Sequence, residues 1–235
     1  MCIRDSDKPG REGFRRGVTE GDISPRAMRN ATFTLLALDC LIGLSLIIWG
    51  GWWLIFVGIA IAIFALAYST GPWPLSHHGL GEVAVIIFFG IIPVIFTAYV
   101  ETGNWKMMPV AFPMSMAIGL LGANVLIVNN YRDREDDAKV GKRTLAVIFG
   151  PKAIAGLYLV NGFLALLFIE IATAIRIPVL WQIVPLLFIN QHYLLWRELR
   201  ESHGAECNPL LGKTALTMLA VAIWALLAFT LSPSA

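Results

Sequence analysis

The sequence predicts an all-α, polytopic bundle of transmembrane helices around a central cavity, and three observations carry that prediction. The first is composition. Of the 235 residues 57% are hydrophobic and 14% charged, with a mean hydropathy of +0.70, which excludes an ordinary soluble domain. The second is the gathering of apolar residues into seven runs, roughly 31–49, 52–70, 82–100, 109–129, 152–175, 177–196 and 213–231. Each is near the length that crosses a hydrocarbon core of about 30 Å, and runs of that kind specify helices rather than a barrel.

The third observation is where the cations fall. The net charge of +2 says little. With residues 7–30 on the cytoplasmic side and the spans alternating, Lys8, Arg11, Arg15, Arg16, Arg26 and Arg29 lie before the first span. Arg132, Arg134, Lys139, Lys142, Arg143 and Lys152 fall on the same side, as do Arg197, Arg200 and Lys213. Lys106 and Arg176 are left on the other. That bias is the positive-inside signature of a multi-pass protein in the lipid bilayer. No basic stripe with interleaved aromatics accompanies it, so nucleic acid is not an expected partner.

The elements follow in order. Met1 to Ser6 read as a non-native leader resembling a translated adapter remnant, which leaves residues 7–235 as one membrane domain. Ser24 and Pro25 make a helix start, with Ser24 as cap and Pro25 in the first turn. Gly50-Gly51 sets a short external turn, and Gly103-Asn104 a second. Residues 71–81 form an irregular loop, Gly141 suits a left-handed residue ending a helix, and 197–212 reads as a charged loop. Trp49, Trp52, Trp53 and Trp73 sit at membrane boundaries as interfacial anchors. Cys2, Cys40 and Cys207 have neither paired nor metal-ligand spacing, so no disulfide is expected.

Chemistry concentrates between the fourth and fifth spans, in the segment from Asn129 to Leu145. If it is helical, Asp133 and Asp137 are four residues apart and share a face. Two carboxylates so placed can hold Mg²⁺, which takes its remaining ligands from water and substrate phosphate. Arg132, Lys142 and Arg143 then stand ready for the rest of a diphosphate's charge. The plainer account is a solvated connector whose charges cap two helices. The helical spacing, the two asparagines at the membrane edge and the Gly-Lys-Arg-Thr that follows favour a site.

These residues carry a resemblance. Asn129-Asn130-Tyr131-Arg132-Asp133, then Asp137, Gly141-Lys142 and Thr144-Leu145, resemble the second aspartate motif of the UbiA superfamily of intramembrane prenyltransferases, in its dihydroxynaphthoate polyprenyltransferase branch. Asp7-Lys8-Pro9, Arg11, Gly13, Arg16-Gly17 and Gly21 resemble the tail of the first motif. Tyr68-Ser69, Gly71-Pro72, Pro74-Leu75 and Gly79-Leu80-Gly81-Glu82 resemble the third conserved loop. Family members have nine spans, so the resemblance implies an N-terminally truncated chain with seven, lacking most of the first aspartate cluster and inactive alone.

What the resemblance implies is prenyl transfer from polyprenyl diphosphate to 1,4-dihydroxy-2-naphthoate, with loss of CO₂ and diphosphate, in the cell (inner) membrane with cytoplasmic site loops. Asp133 and Asp137 are the expected catalytic residues and Mg²⁺ ligands, with Asp7 as a further ligand. Asn130, Arg132, Lys142, Arg11 and Arg16 are expected at the diphosphate, and Tyr68, His77 and Asn124 at the acceptor or cavity. Asn124 and Asn161 either face that cavity or join helices by hydrogen bonds. Asp39, in the first span, is expected to face the bundle. Alternatives are another acceptor such as 4-hydroxybenzoate, a phytyl donor, or a membrane transporter, for which charges along a mid-membrane path would be expected.

Overall fold

The computed structural model describes residues 17–174 and 177–232, together with Gly13. Among them are helices and turns and no strand, and seven principal helices coincide with the seven apolar runs. These are α1 (Pro25–Gly50), α2 (Leu54–Ser69), α3 (Gly81–Thr102), α4 (Met108–Lys139), α5 (Leu145–Thr173), α6 (Val179–Glu201) and α7 (Cys207–Leu231). Five of them, α1, α3, α4, α5 and α7, are long and apolar enough to cross a membrane, the last counted with the short turn before it.

Local chemistry sets the boundaries. Ser24 caps α1 by accepting from the Ala27 N–H at 3.2 Å, with Pro25 in the first turn. Gly103 closes α3 in the left-handed region, at φ 65°. The charged residues 197–201 and Cys207 to Gly212 are helical, so the expected loop shrinks to residues 202–206 around a 3₁₀ turn at Gly204–Glu206. Charge lowers hydropathy without lowering helix propensity. Across that turn Lys213 pairs with Glu198 at 2.6 Å.

Helix α4 is the hub, packing on α3, α5 and α7. Where α3 meets it, Ile86–Ile91 forms a π turn. That turn ends just before Pro93, which has no N–H for the carbonyl four residues back. A Cβ on Gly90 would lie 2.5 Å from the Gly119 Cα, so only glycines allow these backbones to approach so closely. At one end of the bundle Trp53 meets Phe96, Tyr99 and Trp105, with centroids 5.3–6.0 Å apart. At the other end the Arg143 N–H donates to the His77 carbonyl at 3.0 Å, and Arg132 reaches Asn208. The loops around residues 51–53 and 103–107 therefore share one end, and those around 70–80, 140–144 and 202–208 share the other.

One expectation fails at the periphery. Asp39 is exposed rather than turned into the bundle, because α1 lies at the edge of the described helices and buries no residue in Pro25–Ser45.

Candidate active site

At 32 residues α4 is about 48 Å long, well beyond a hydrocarbon core of about 30 Å. Its last three turns carry the charged motif beyond the apolar stretch, and helical rotation sorts the carboxylates. Asp133 and Asp137 are both buried, at 8% exposure. Glu135 on the opposite side and Asp136 on the flank are exposed, and Asp136 pairs locally with Lys139. The shared face inferred from spacing is the buried face.

The end of α4 then positions a cation over Asp137. Gly141 is left-handed, at φ 75°. The Gly141 N–H donates to the Ala138 carbonyl, and the Lys142 N–H donates to the Asp137 carbonyl. This paired C-terminal pattern is a Schellman motif. It folds Lys142 back so that Nζ reaches the Asp137 carboxylate at 3.0 Å. Backbone and side chain of one lysine thus clasp one aspartate.

Arg132 does something different from what its position in the motif suggests. It is 4% exposed. Its Nε and one terminal nitrogen grip both Asp133 oxygens at 2.7 and 3.0 Å. The terminal nitrogens also donate to Asn208 at 2.9 Å and Asn129 at 2.7 Å. The guanidinium is spent on inward contacts, so it orients Asp133 rather than presenting an open fork to a diphosphate. Asn208, 76 residues away in sequence, gave no local signal of this role.

Beside the aspartates lies a cavity of about 110 Å³ between the ends of α2, α3 and α4 and the α4–α5 turn. Tyr68, Ser76, Glu82, Asn129, Asn130, Lys142 and Thr144 contribute to its wall. Asn130 donates to Glu82 Oε1 at 2.9 Å, tying α4 to the first turn of α3. The Tyr68 hydroxyl lies over the start of α3, 3.6 Å from where a Gly81 Cβ would stand, which is ordinary contact distance. Glu82 closes the Gly79-Leu80-Gly81-Glu82 stretch and was not among the expected site residues. An acid opening a very apolar run is the sequence signal for it, and the structure buries it to 4% exposure.

Other expected members stand apart. Asn124 does not line the cavity: its amide donates to the Tyr158 carbonyl at 3.0 Å, joining α4 to α5. His77 is absent from the cavity wall, although its neighbour Ser76 lines it. Burial, aided by the Lys142 cation and by His78, and opposed by Asp137, holds the His77 imidazole below the usual histidine range. His78 is held by the Pro74 carbonyl at 2.8 Å and stacks on Trp73. Asp7, Arg11 and Arg16 lie outside the described residues.

The profile of the UbiA prenyltransferase family matches residues 4–217. The chain belongs to that family. Among its relatives, a Mycobacterium tuberculosis protein named 1,4-dihydroxy-2-naphthoate octaprenyltransferase is 34% identical over 206 residues, covering 86% of this chain and 67% of that protein. An Escherichia coli protein of the same name is 36% identical over 155 residues, covering 63% and 50%. The Mycobacterium leprae protein of that name is 31% identical over 217 residues, covering 89% and 70%. The chain thus spans from half to about two thirds of these relatives' length. No solved structure matches it. Family and helices together make this a multi-pass membrane protein.

Proposed function

We propose that the protein transfers a polyprenyl group from polyprenyl diphosphate to 1,4-dihydroxy-2-naphthoate, releasing CO₂ and diphosphate and forming the quinol form of demethylmenaquinone. The observation that carries this reading is the buried pair Asp133 and Asp137, each clasped by its own cation, where a membrane-spanning helix meets water. The names of the three bacterial relatives support the choice of acceptor.

Asp133 and Asp137 are hard oxygen donors one helical turn apart on a buried face, a donor set that fits Mg²⁺. When bound there, Mg²⁺ would supply neutralising charge for the leaving diphosphate. Arg132 keeps Asp133 oriented, and Lys142, which also lines the neighbouring cavity, holds Asp137. Departure of the diphosphate leaves an allylic cation, which the electron-rich ring attacks. Decarboxylation then restores aromaticity, so the step needs no strong general base. The positive-inside bias supports a cytoplasmic placement of the site in the cell's inner membrane.

The test uses the full-length protein in membranes, with Asp137→Asn and Asp133→Asn. Each should abolish the Mg²⁺-dependent part of polyprenyl diphosphate affinity. Asp137→Asn is the cleaner variant, because Asp133→Asn strands the buried Arg132 charge, a change worth about 3–5 kcal/mol of stability. Retention of full Mg²⁺ dependence in both would remove the metal assignment. Turnover with 4-hydroxybenzoate but not dihydroxynaphthoate would replace the acceptor.

A further inference from the structure

Helix α6 carries an outward stripe that the bundle leaves uncovered. The helix packs on α5 and α7, and its bundle side is formed by Pro185, His192, Leu195 and Leu199, all buried. On the other side Leu180, Ile183, Leu187, Asn190 and Leu194 are exposed, Leu180 and Leu187 at 77% and 71%. Their steps alternate between three and four residues, the spacing that keeps one seam along a helix.

Leucine facing lipid is unremarkable, but Asn190 facing lipid is not. The α4–α5 and α6–α7 turns share the motif end, so α5 runs away from that end and α6 returns to it. Asn190 stands on the return, seven residues and about 10 Å short of the first charge at Arg197. At that depth an amide finds no water to bond. Asn190 makes no hydrogen bond among the described residues. His192, two residues on, shows the contrast: its ring faces inward and meets the Tyr158 and Leu159 carbonyls at 3.1 and 3.2 Å.

Lipid tails offer no hydrogen bond, and apolar side chains gain little by leaving them for one another. A polar residue on such a seam therefore decides what associates there. Copies of one chain insert in the same orientation, so two α6 helices meet parallel across a two-fold axis along the membrane normal. Each residue on that axis faces its own counterpart. A carboxamide both donates and accepts, so it can pair with itself. We infer that α6 is a homodimer interface: a second copy of this chain lays its own α6 along the 180–194 stripe, and the two Asn190 amides exchange hydrogen bonds within it. The stripe lies on the far side of α6 from the bundle, so the inference is independent of the reaction proposed above.

The experiment uses the full-length protein in native membranes, with its native cysteines replaced by serine. Ile183→Cys, Leu187→Cys and Leu194→Cys are each oxidised with copper phenanthroline. Val160→Cys on α5 and Leu226→Cys on α7, exposed but off the stripe, are treated alongside. The stripe positions should yield covalent dimer and the other two should not. Adding Asn190→Leu to the most reactive stripe variant should lower the dimer fraction about fivefold or more, as for loss of an interhelical hydrogen bond in lipid. Asn190→Gln, which keeps the amide, should retain most of it. Asn190 is exposed, so helix content by circular dichroism should be the same in both. Absence of covalent dimer at all three stripe positions would overturn the proposal and point to another occupant, such as an upstream segment of the same chain. Equal cross-linking at Val160 or Leu226 would mean random collision and overturn it too. An undiminished dimer fraction with Asn190→Leu would do the same.

Discussion

His77 shows how a residue can matter to this site without lining it. Its carbonyl ties the residue 70–80 loop to the α4–α5 turn, and its imidazole is held below the ordinary value of 6.5. The folded state therefore resists protonation that the unfolded chain accepts. Stability from this source is fully present above the unfolded value of about 6.5 and falls as pH drops toward the lower folded value. Acidification from about pH 7 to about pH 5.5 should lower the unfolding midpoint of the detergent-solubilised wild type more than that of His77→Gln. Equal losses would show that protonation of His77 is not coupled to folding. At this scale the sequence was half legible. Helical spacing identified Asp133 and Asp137, because period alone decides which carboxylates share a face. The inward turn of Arg132 and the Glu82–Asn130 contact depend on partners 76 and 48 residues away, and no local pattern encodes those.

Among the elements, apolar runs located all seven helices, since a bilayer leaves little choice of structure for them. Where charge entered, hydropathy misplaced the ends: α6 and α7 extend into the segment read as a loop. The π turn of α3 was not legible either, although Gly90, Pro93 and Gly119 are its sequence correlates. Its energetic meaning is testable. Gly90→Ala sets a methyl 2.5 Å from the Gly119 backbone, so the helices must part. Overpacking of this kind costs about 1–3 kcal/mol. Gly156→Ala in α5 meets nothing within 4 Å. It should be neutral or stabilising by up to about 1 kcal/mol through helix propensity. Denaturation of the two variants in the same detergent should separate them, and equal stability would mean that the α3–α4 approach is slack.

For the whole molecule, hydrogen bonds and ring contacts gather the loops into two opposite ends, and charge says which end faces which compartment. The motif-bearing end holds Arg132, Arg134, Lys139, Lys142, Arg143, Arg197, Arg200 and Lys213, while the aromatic end has Lys106 among the described residues. A proposed site that binds a water-soluble acceptor carboxylate must open to the compartment that makes it, so topology and chemistry stand or fall together. Cysteines introduced at Lys139 and His203, both exposed at the motif end, should resist an impermeant thiol reagent applied to intact cells. A cysteine at Glu101, exposed at the other end, should react at once. The background for all three is a chain with Cys2, Cys40 and Cys207 replaced by serine. External labelling at Lys139 would place the aspartates outside the cell and reverse the orientation drawn from the basic residues.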